Sequence, residues 1–338
     1  MNKDYSVKQD ARKMAAAISR HGVSKTHAEK RTLRSIGTER TYRDVLCVLG
    51  KWLWMWGKKL ISANHKDGTA FLIFRATQVC QKTLDRDRLI LSRYFNNDLK
   101  KFVSKISSRE QRGRAYPSSQ IMRMMMMCAD PRLAISIELC HHAGLRATEL
   151  NNISRPEDRP ESARNWREDR FHLTSDQVLY TVHGKGGLVR SVTIPRELAQ
   201  RLEMFRRSEP VQIEDREIKH RSFYDIESGK KFSARFGRLS QNILGFSHGA
   251  HGLRYGYVQR RLLQLVISRI PFERARLIVA NEIGHFSPAN IRYYLVGCCF
   301  HQFLKSGGAC ELKKYDPEAL QVMAETDWKN LIDLESGS

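Results

Sequence analysis

Apolar residues recur at helical spacing through much of the first third of the chain. Between 45 and 56 they share one helical face, and Gly57 follows as a helix stop. Further helical patterns cover 71–84 and 89–102, with a shorter one around 10–19. These patterns predict a small all-α domain. Its tryptophan-bearing face at 45–56 is expected to pack into a core rather than stack on bases.

The rest of the chain mixes helical patterns with short strand patterns. Helices are predicted at 118–127 and 130–142, the second with Asp130 as N-cap and Pro131 at its first position. Short strands are predicted at 171–173, 178–182 and 188–194. Helical patterns resume from 195 to about 299, and a charged surface insertion is expected at 155–170. The predicted fold class is mainly α with a small antiparallel β-sheet.

The charge of the chain is strongly positive and unevenly distributed. The 338 residues carry 58 Lys and Arg against 36 Asp and Glu, a net charge of +22. Residues 1–115 hold 26 of the basic and 10 of the acidic side chains, whereas 311–338 is net acidic. A basic first third on a nearly neutral body indicates a nucleic-acid-binding module joined to a second activity. A solubilising or ribosome-associated surface is the alternative that charge leaves open.

Several classes of protein are excluded by simple patterns. No apolar run reaches 18 residues, which argues against a membrane-spanning helix, and the N-terminus lacks the apolar core of a signal peptide. Seven cysteines, an odd number, argue against a disulfide framework and for reduced thiols. His141-His142 and Cys298-Cys299 lack the spacing of zinc ligands, so neither a metal nor another cofactor is expected. We therefore expect a cytoplasmic protein without a membrane partner.

Four short motifs hold the candidate chemistry. They are Gly144-Leu145-Arg146-Ala147-Thr148-Glu149, the glycine-rich turn around Lys185, His251-Gly252-Leu253-Arg254, and Ile283-Gly284-His285 with Tyr293 and Tyr294 downstream. Each alone has an ordinary structural explanation, such as an ion-paired arginine, a hairpin turn, a capping histidine or a packed tyrosine. The Lys185 turn also lacks the order of a phosphate-binding loop for nucleotide hydrolysis.

Together the motifs supply what metal-free attack on a phosphodiester requires. Two arginines offer planar, bidentate charge to the non-bridging oxygens. A histidine can accept the proton of a phenol, and a lysine can donate one to a leaving oxygen. A tyrosine can hold the phosphoryl group as an ester, so resealing the strand needs no ATP.

The order Arg, Lys, His-x-x-Arg, His, Tyr resembles the catalytic signature of the tyrosine recombinases, the integrase family of site-specific DNA recombinases. The resemblance covers about 118–294. It implies that Arg146 and Arg254 clamp the scissile phosphate with a hydrogen bond from His285. The other roles it implies are general base for His251, proton donor to the leaving 5′ oxygen for Lys185, support for Glu149, and 3′-phosphotyrosine nucleophile for Tyr294.

Tyr293 is the alternative nucleophile. Ser287 and Pro288 form an N-cap and first-position pair, so both tyrosines are expected on one short helix. Adjacent helical residues point about 100° apart, so only one of them can face the phosphate. The spacing typical of the family, nine residues after the last histidine, selects Tyr294.

The resemblance also implies a domain organisation. The predicted parts are a basic segment at 1–36, an α-helical core DNA-binding domain at 37–105, a linker at 106–117, a catalytic domain at 118–310, and an acidic segment at 311–338. The last segment has an amphipathic pattern suited to exchange between protomers, and packing on its own domain is the alternative.

The implied function is a site-specific recombinase or integrase that acts on double-stranded DNA. It implies a homo-tetramer on two DNA sites, a Holliday junction intermediate, a mobile genetic element as the setting, and accessory DNA-bending or directionality proteins as further candidate partners. Two alternatives stay open. One is another tyrosine strand-transfer enzyme, either a type IB topoisomerase or a telomere resolvase. The other is a non-catalytic architectural DNA-binding protein.

Overall fold

The structure is a computed structural model that describes residues 3–21, 32–107, 112–171 and 176–298. The chain divides into two compact units, 1–110 and 111–338. The predicted C-terminal segment, 311–338, lies outside the described residues, as do parts of the predicted N-terminal segment and linker.

The described residues of the first unit contain four α-helices. They are α1 (Lys3–Ala17), α2 (Ile36–Met55), α3 (His65–Arg75) and α4 (Gln81–Phe95). Helix α2 begins where the Ser35 hydroxyl accepts a hydrogen bond from the backbone of Thr38, and it ends before Gly57 at φ 67°. Its leucines are buried, but Trp56 is 73% exposed. The prediction that the whole tryptophan-bearing face packs inward is therefore wrong at the last turn of the helix.

Two predicted helices of the first unit have different bounds in the structure. The pattern at 71–84 spans a break, because α3 ends at Arg75 and α4 begins at Gln81. Apolar residues on both sides of the break enter the same core, so the periodicity continues across the turn. The pattern at 89–102 is helical only to Phe95, because Asn96 adopts a left-handed conformation that ends the helix.

The described residues of the second unit contain seven α-helices and four strands. In chain order they are α5 (Ser118–Met126), α6 (Pro131–Ala143), β1 (Gln177–His183), β2 (Val189–Pro195), α7 (Arg196–Glu203), β3 (Arg206–Asp215), β4 (Ile218–Tyr224), α8 (Gly229–Leu244), α9 (His251–Ile267), α10 (Phe272–Glu282) and α11 (Ile291–Tyr294). Helix α6 is buried on nearly all sides and packs against β2, α7, α8 and α9. Its Asp130 cap and Pro131 start are as predicted. No helix of the described ranges is long and apolar enough to cross a bilayer.

Each hairpin of the second unit forms its own two-stranded antiparallel sheet. Strands β1 and β2 pair with Tyr180 opposite Val192, close to their predicted positions. The prediction of helical structure from 195 to about 299 is wrong at strands β3 and β4. Their turn places Arg216 and Glu217 at positive φ without glycine, so the usual hairpin signal is missing from the sequence.

The segment 155–170 is charged as predicted, and it packs against strand β2. Glu161 accepts a hydrogen bond from the Ser191 backbone of β2 at 2.6 Å, and Arg170 binds the same carboxylate. The strand predicted at 171–173 is absent at Phe171, which lies in a turn at φ 58°. The rest of that predicted strand lies outside the described residues.

Candidate active site

The first motif forms a tight turn directly after α6. Gly144 ends the helix at φ 59°, and a Cβ there would lie 2.5 Å from the ring of Tyr257. The next residues fold back so that the Arg146 backbone N–H donates to the Glu149 carboxylate at 2.8 Å. Glycine is required at 144 by both its backbone conformation and this close approach. The turn directs the Glu149 side chain into the interior.

Glu149 is the centre of the candidate site. It is 1% exposed, and its carboxylate lies within salt-bridge distance of three arginines, called here the arginine cluster: Arg146 (2.6 Å), Arg190 (2.8 Å) and Arg254 (3.7 Å). Burial by itself would raise the pKa of Glu149, but the three positive charges outweigh it and hold the pKa well below its ordinary value. Glu149 is therefore an anion, and the cluster keeps a net positive charge that suits a phosphodiester.

Arg254 lies at the base of the cluster on the first turn of α9. It is fully buried, and two of its nitrogens donate to backbone carbonyls, Nη1 to Gly144 at 2.5 Å and Nη2 to Ile283 at 2.6 Å. Its Nε donates to the Tyr294 hydroxyl at 3.3 Å. Burial lowers the pKa of Arg254 to about 10, so the guanidinium is charged at neutral pH. Arg254 thus joins the first, third and fourth motifs directly.

His285 follows α10 and lies beside the arginine cluster, next to Arg146. Its backbone N–H donates to the Ala280 carbonyl at 2.7 Å, and Arg146 Nη2 lies 3.3 Å from His285 Nε2. Because arginine can only donate, Nε2 of His285 accepts this hydrogen bond and the imidazole is neutral. Burial and the charges of the arginine cluster lower the pKa of His285 to about 4. His285 can therefore donate to a ligand only through its other nitrogen or after protonation.

His251 begins α9 beside the aromatic side chains of the site. Its ring centroid lies 6.0 Å from that of Tyr294 and 5.6 Å from that of Tyr255. Burial, and then the nearby arginine charges, lower its pKa to about 4. His251 is consequently neutral at pH 7 and able to accept a proton.

The two tyrosines of α11 face different surroundings. Tyr294 is 6% exposed, its hydroxyl accepts from Arg254, and its ring lies 4.7 Å from that of Tyr255. Tyr293 is 42% exposed and its hydroxyl accepts from Arg292 at 3.0 Å. The predicted cap of this segment is present, because the Ser287 hydroxyl accepts from the backbone of Ala289. Adjacent positions on one helix thus direct the two phenols into different surroundings.

Lys185 lies in a short turn between β1 and β2, and its side chain is outside the described part of the structure. The neighbouring backbone is close to the site, because a Cβ at Gly184 would lie 3.2 Å from Glu149 Oε1. The structure thus brings six predicted residues together: Arg146, Glu149, His251, Arg254, His285 and Tyr294. No cluster of metal-binding side chains is found among the described residues.

Arg190 is a member of the arginine cluster that the sequence analysis missed. It lies on β2 and is 2% exposed. The sequence did contain a signal, because the alternation of a strand places Arg190 on the same face as the apolar residues Val192 and Ile194. A charged residue on the apolar face of a strand indicates a buried partner.

Comparison with solved structures agrees with this architecture. Neither a protein-family model nor a curated protein matches the sequence. Solved structures do match. A pre-cleavage complex of XerH site-specific recombinase bound to difH substrate covers 91% of this chain and 95% of its own, with 15% identity and a TM-score of 0.50. A post-cleavage XerH complex on palindromic difH covers 90% of this chain and 94% of its own, with 14% identity and a TM-score of 0.50.

The protein therefore has the tyrosine recombinase fold, mainly α-helical with small antiparallel sheets. The predicted fold class is confirmed, with two sheets in place of one.

Proposed function

We propose that this protein is a tyrosine site-specific DNA recombinase that cleaves and rejoins DNA through a 3′-phosphotyrosine. The observation that carries the proposal is the hydrogen bond from Arg254 to the Tyr294 hydroxyl, in a cluster of three arginines around one buried carboxylate, with Arg146 the partly exposed member. A phenol next to a fixed, positively charged pocket is placed to attack a phosphodiester bound there. The recombinase fold and the basic first third support the same conclusion.

In the proposed cleavage step, the Tyr294 oxygen attacks the scissile phosphorus and the bond to the 5′ oxygen breaks. The phenolic proton passes to His251, which is neutral at pH 7 because its pKa is about 4. Lys185 gives a proton to the departing 5′ oxygen. Arg146 and Arg254 stabilise the charge on the non-bridging oxygens, and His285 adds a hydrogen bond. The ester bond to Tyr294 conserves the energy needed to rejoin the strand.

We further propose a tetramer on two DNA sites, two rounds of strand exchange through a Holliday junction, and a mobile genetic element as the setting. Residues 37–105 are proposed to bind the core DNA site and 118–310 to perform the chemistry. The net charge of residues 1–115 supports the first assignment. The proposed location is the cytoplasm, in association with DNA.

The test is covalent trapping on nicked duplexes. Because the target sequence is unknown, duplexes that bind the protein are first selected from a random-sequence pool, and nicked versions are then incubated with it. We expect a denaturant-resistant adduct that Tyr294→Phe abolishes and Tyr293→Phe, the matched control, retains. An adduct lost only in Tyr293→Phe would identify Tyr293 as the nucleophile. Binding without any adduct would overturn the proposal in favour of an architectural DNA-binding protein.

A second assay separates the remaining enzyme classes. A recombinase joins two copies of a selected site on separate DNA molecules, whereas a type IB topoisomerase only relaxes one supercoiled molecule and a telomere resolvase produces hairpin ends. We expect joint molecules from two sites. Relaxation or hairpin formation without joint molecules would exclude the recombinase.

A further inference from the structure

We propose that Arg190 is a positioning residue of the candidate active site, which ties the Glu149 carboxylate to the end of α10 and so holds Arg146 and His285 in place. The proposal rests on the proposed function for its cleavage measurement only. Its structural part concerns the geometry and titration of His285, which can be measured without any reaction.

The position of Arg190 in β2 is unusual for a charged side chain. It is buried on the face that carries Val192 and Ile194 into the core. An aliphatic residue would suit that face, because a buried charge is costly unless it is paired and hydrogen-bonded. The function of Arg190 must therefore lie in the partners that it reaches.

Those partners lie on two elements that are far apart in sequence. Arg190 Nη2 donates to Glu149 Oε2 at 2.8 Å, in the turn after α6. Arg190 Nη1 donates to the Glu282 carbonyl at 2.8 Å, at the last residue of α10. One planar guanidinium thus sets the distance between the Glu149 carboxylate and the chain that leads into His285.

The chain before His285 is shaped around this side chain. Gly284 has φ 73°, and a Cβ there would lie 2.9 Å from Arg190 Cδ and 3.5 Å from its Nε. Only glycine combines that backbone conformation with that approach. Because His285 is the next residue, a movement of Arg190 would be transmitted to the imidazole through one peptide bond.

Glu149 provides the second route of influence. Its Oε1 binds Arg146 and its Oε2 binds Arg190, so the two arginines hold the carboxylate from different sides. Among the described side chains and backbone groups, removal of Arg190 leaves Oε2 with Arg254 Nη1, at 3.7 Å, and the Arg146 backbone N–H. The carboxylate would then shift and carry the Arg146 guanidinium with it. Arg190 itself lies too deep to touch DNA.

Among the described residues, the charged and titratable groups that face His285 lie on four parts of the second unit. They are Arg146 and Glu149 after α6, Arg190 on β2, Arg254 on α9, and Tyr294 on α11. The positive charge of Arg190 is one of the causes that lower the pKa of His285, after burial, Arg254 and Arg146. Removal of this charge should therefore raise the pKa of His285.

The test compares Arg190→Met with Arg190→Lys, and uses Arg201→Met as the control. Arg201 is an arginine of α7 that pairs with Glu138 on α6, and the described contacts of this pair include neither Glu149 nor the end of α10. The pKa of His285 is followed by NMR in protein labelled at its histidines, with the signal assigned from its loss in His285→Gln. Cleavage at saturating DNA and the Kd for DNA are measured separately.

We expect Arg190→Met to raise the pKa of His285 and to slow cleavage by about 10- to 100-fold, with the DNA Kd changed by less than about threefold. Arg190→Lys should keep the pKa of His285 low, because the charge remains. It should recover only part of the cleavage rate, because an ammonium cannot bridge two acceptors as a planar guanidinium does. Arg201→Met should change neither value, whatever it does to the melting temperature.

The proposal is overturned if Arg190→Met leaves both the His285 titration and cleavage unchanged, or if Arg201→Met changes them equally. If Arg190→Met does not fold, an Arg190→Lys variant that folds and cleaves at the wild-type rate has the same consequence. A raised pKa of His285 in a protein that never forms an adduct would support the positioning role and reject the recombinase function instead.

Discussion

The Glu149 carboxylate lies within salt-bridge distance of arginines from three different parts of the second unit. It accepts hydrogen bonds from Arg146 and Arg190, and Arg254 is its third charged neighbour. A single buried carboxylate thereby neutralises part of the charge of three arginines, of which Arg190 and Arg254 are buried. Taking one partner out of a buried ion pair is costly, because the remaining charge stays desolvated. Substitution of Glu149 alone should therefore destabilise the fold as well as disturb the candidate site.

Glu149→Gln should lower the free energy of unfolding by about 3–5 kcal/mol, because it leaves the arginine cluster without its anion. Urea unfolding at pH 7 measures this change. Glu214→Gln, at an exposed position of β3, is the control and should change stability by less than about 0.5 kcal/mol. Equal effects of the two substitutions would contradict the central place given to Glu149.

The pH dependence of stability should also depend on Glu149. Its pKa is depressed in the folded protein, so its stabilising contribution is present above the unfolded value of about 4.5 and is lost as the pH falls below it. Between pH 5 and pH 3, wild type should therefore lose more unfolding free energy than Glu149→Gln does. Parallel pH profiles of the two proteins would refute the assignment of a buried carboxylate anion.

The histidines of the site should make stability depend on pH in a second, higher range. The pKa values of His251 and His285 are about 4 in the folded protein and 6.5 in an unfolded chain. Between these values the unfolded state binds protons that the folded state does not, so stability falls as the pH drops from 6.5 to 4. Melting temperatures of His285→Gln should fall less steeply over this range. His65→Gln, at an exposed histidine, should follow wild type.

Helix α11 carries the proposed nucleophile, and the chain after it crosses the segment that enters the second unit. A Cβ at Gly113 would lie 3.0 Å from the Val296 carbonyl oxygen and 3.1 Å from Gly297 Cα. Backbone atoms on both sides leave no flexible side chain to move away. The placement of Tyr294 therefore depends on a glycine that lies far from it in sequence.

Gly113→Ala should lower stability by about 1–3 kcal/mol and reduce formation of the covalent adduct, because it displaces the chain next to α11. Gly237→Ala on α8 is the matched control. Its nearest atom would be 3.9 Å away, so it should stabilise the helix by about 0.5–1 kcal/mol and leave adduct formation unchanged. Adduct formation by Gly113→Ala at the wild-type level would exclude this dependence.

The elements that were predicted well have local signals, and those predicted wrongly do not. Helix α6 has an N-cap, a first-position proline and a terminal glycine, all of which act within one or two turns. The break between α3 and α4 has no proline or glycine, and the β3–β4 turn uses Arg216 and Glu217 at positive φ. These features are tolerated because the surrounding packing determines them, which a local pattern does not contain.

The charge of the whole molecule predicts how its affinity for DNA should respond to salt. A protein that neutralises six to ten phosphates loses about 10³- to 10⁵-fold in affinity between 50 and 200 mM salt. We expect a loss of this order in a fluorescence titration with duplex DNA. Lys100→Gln with Lys101→Gln, in the basic first unit, should reduce the salt slope more than Lys219→Gln with Lys230→Gln in the second. Equal salt slopes for the two double variants would contradict the assignment of the DNA contacts to Lys100 and Lys101 of the first unit.

The amino-acid sequence alone was sufficient for the fold class, the positive charge and the identity of most candidate site residues. These depend on residue type and short-range spacing, which are local properties of the sequence. The tertiary structure alone revealed the role of Arg190, the different surroundings of Tyr293 and Tyr294, and the convergence on Glu149. Burial and contacts between distant segments decide these three features, because the pairing of a charge depends on which elements pack against it.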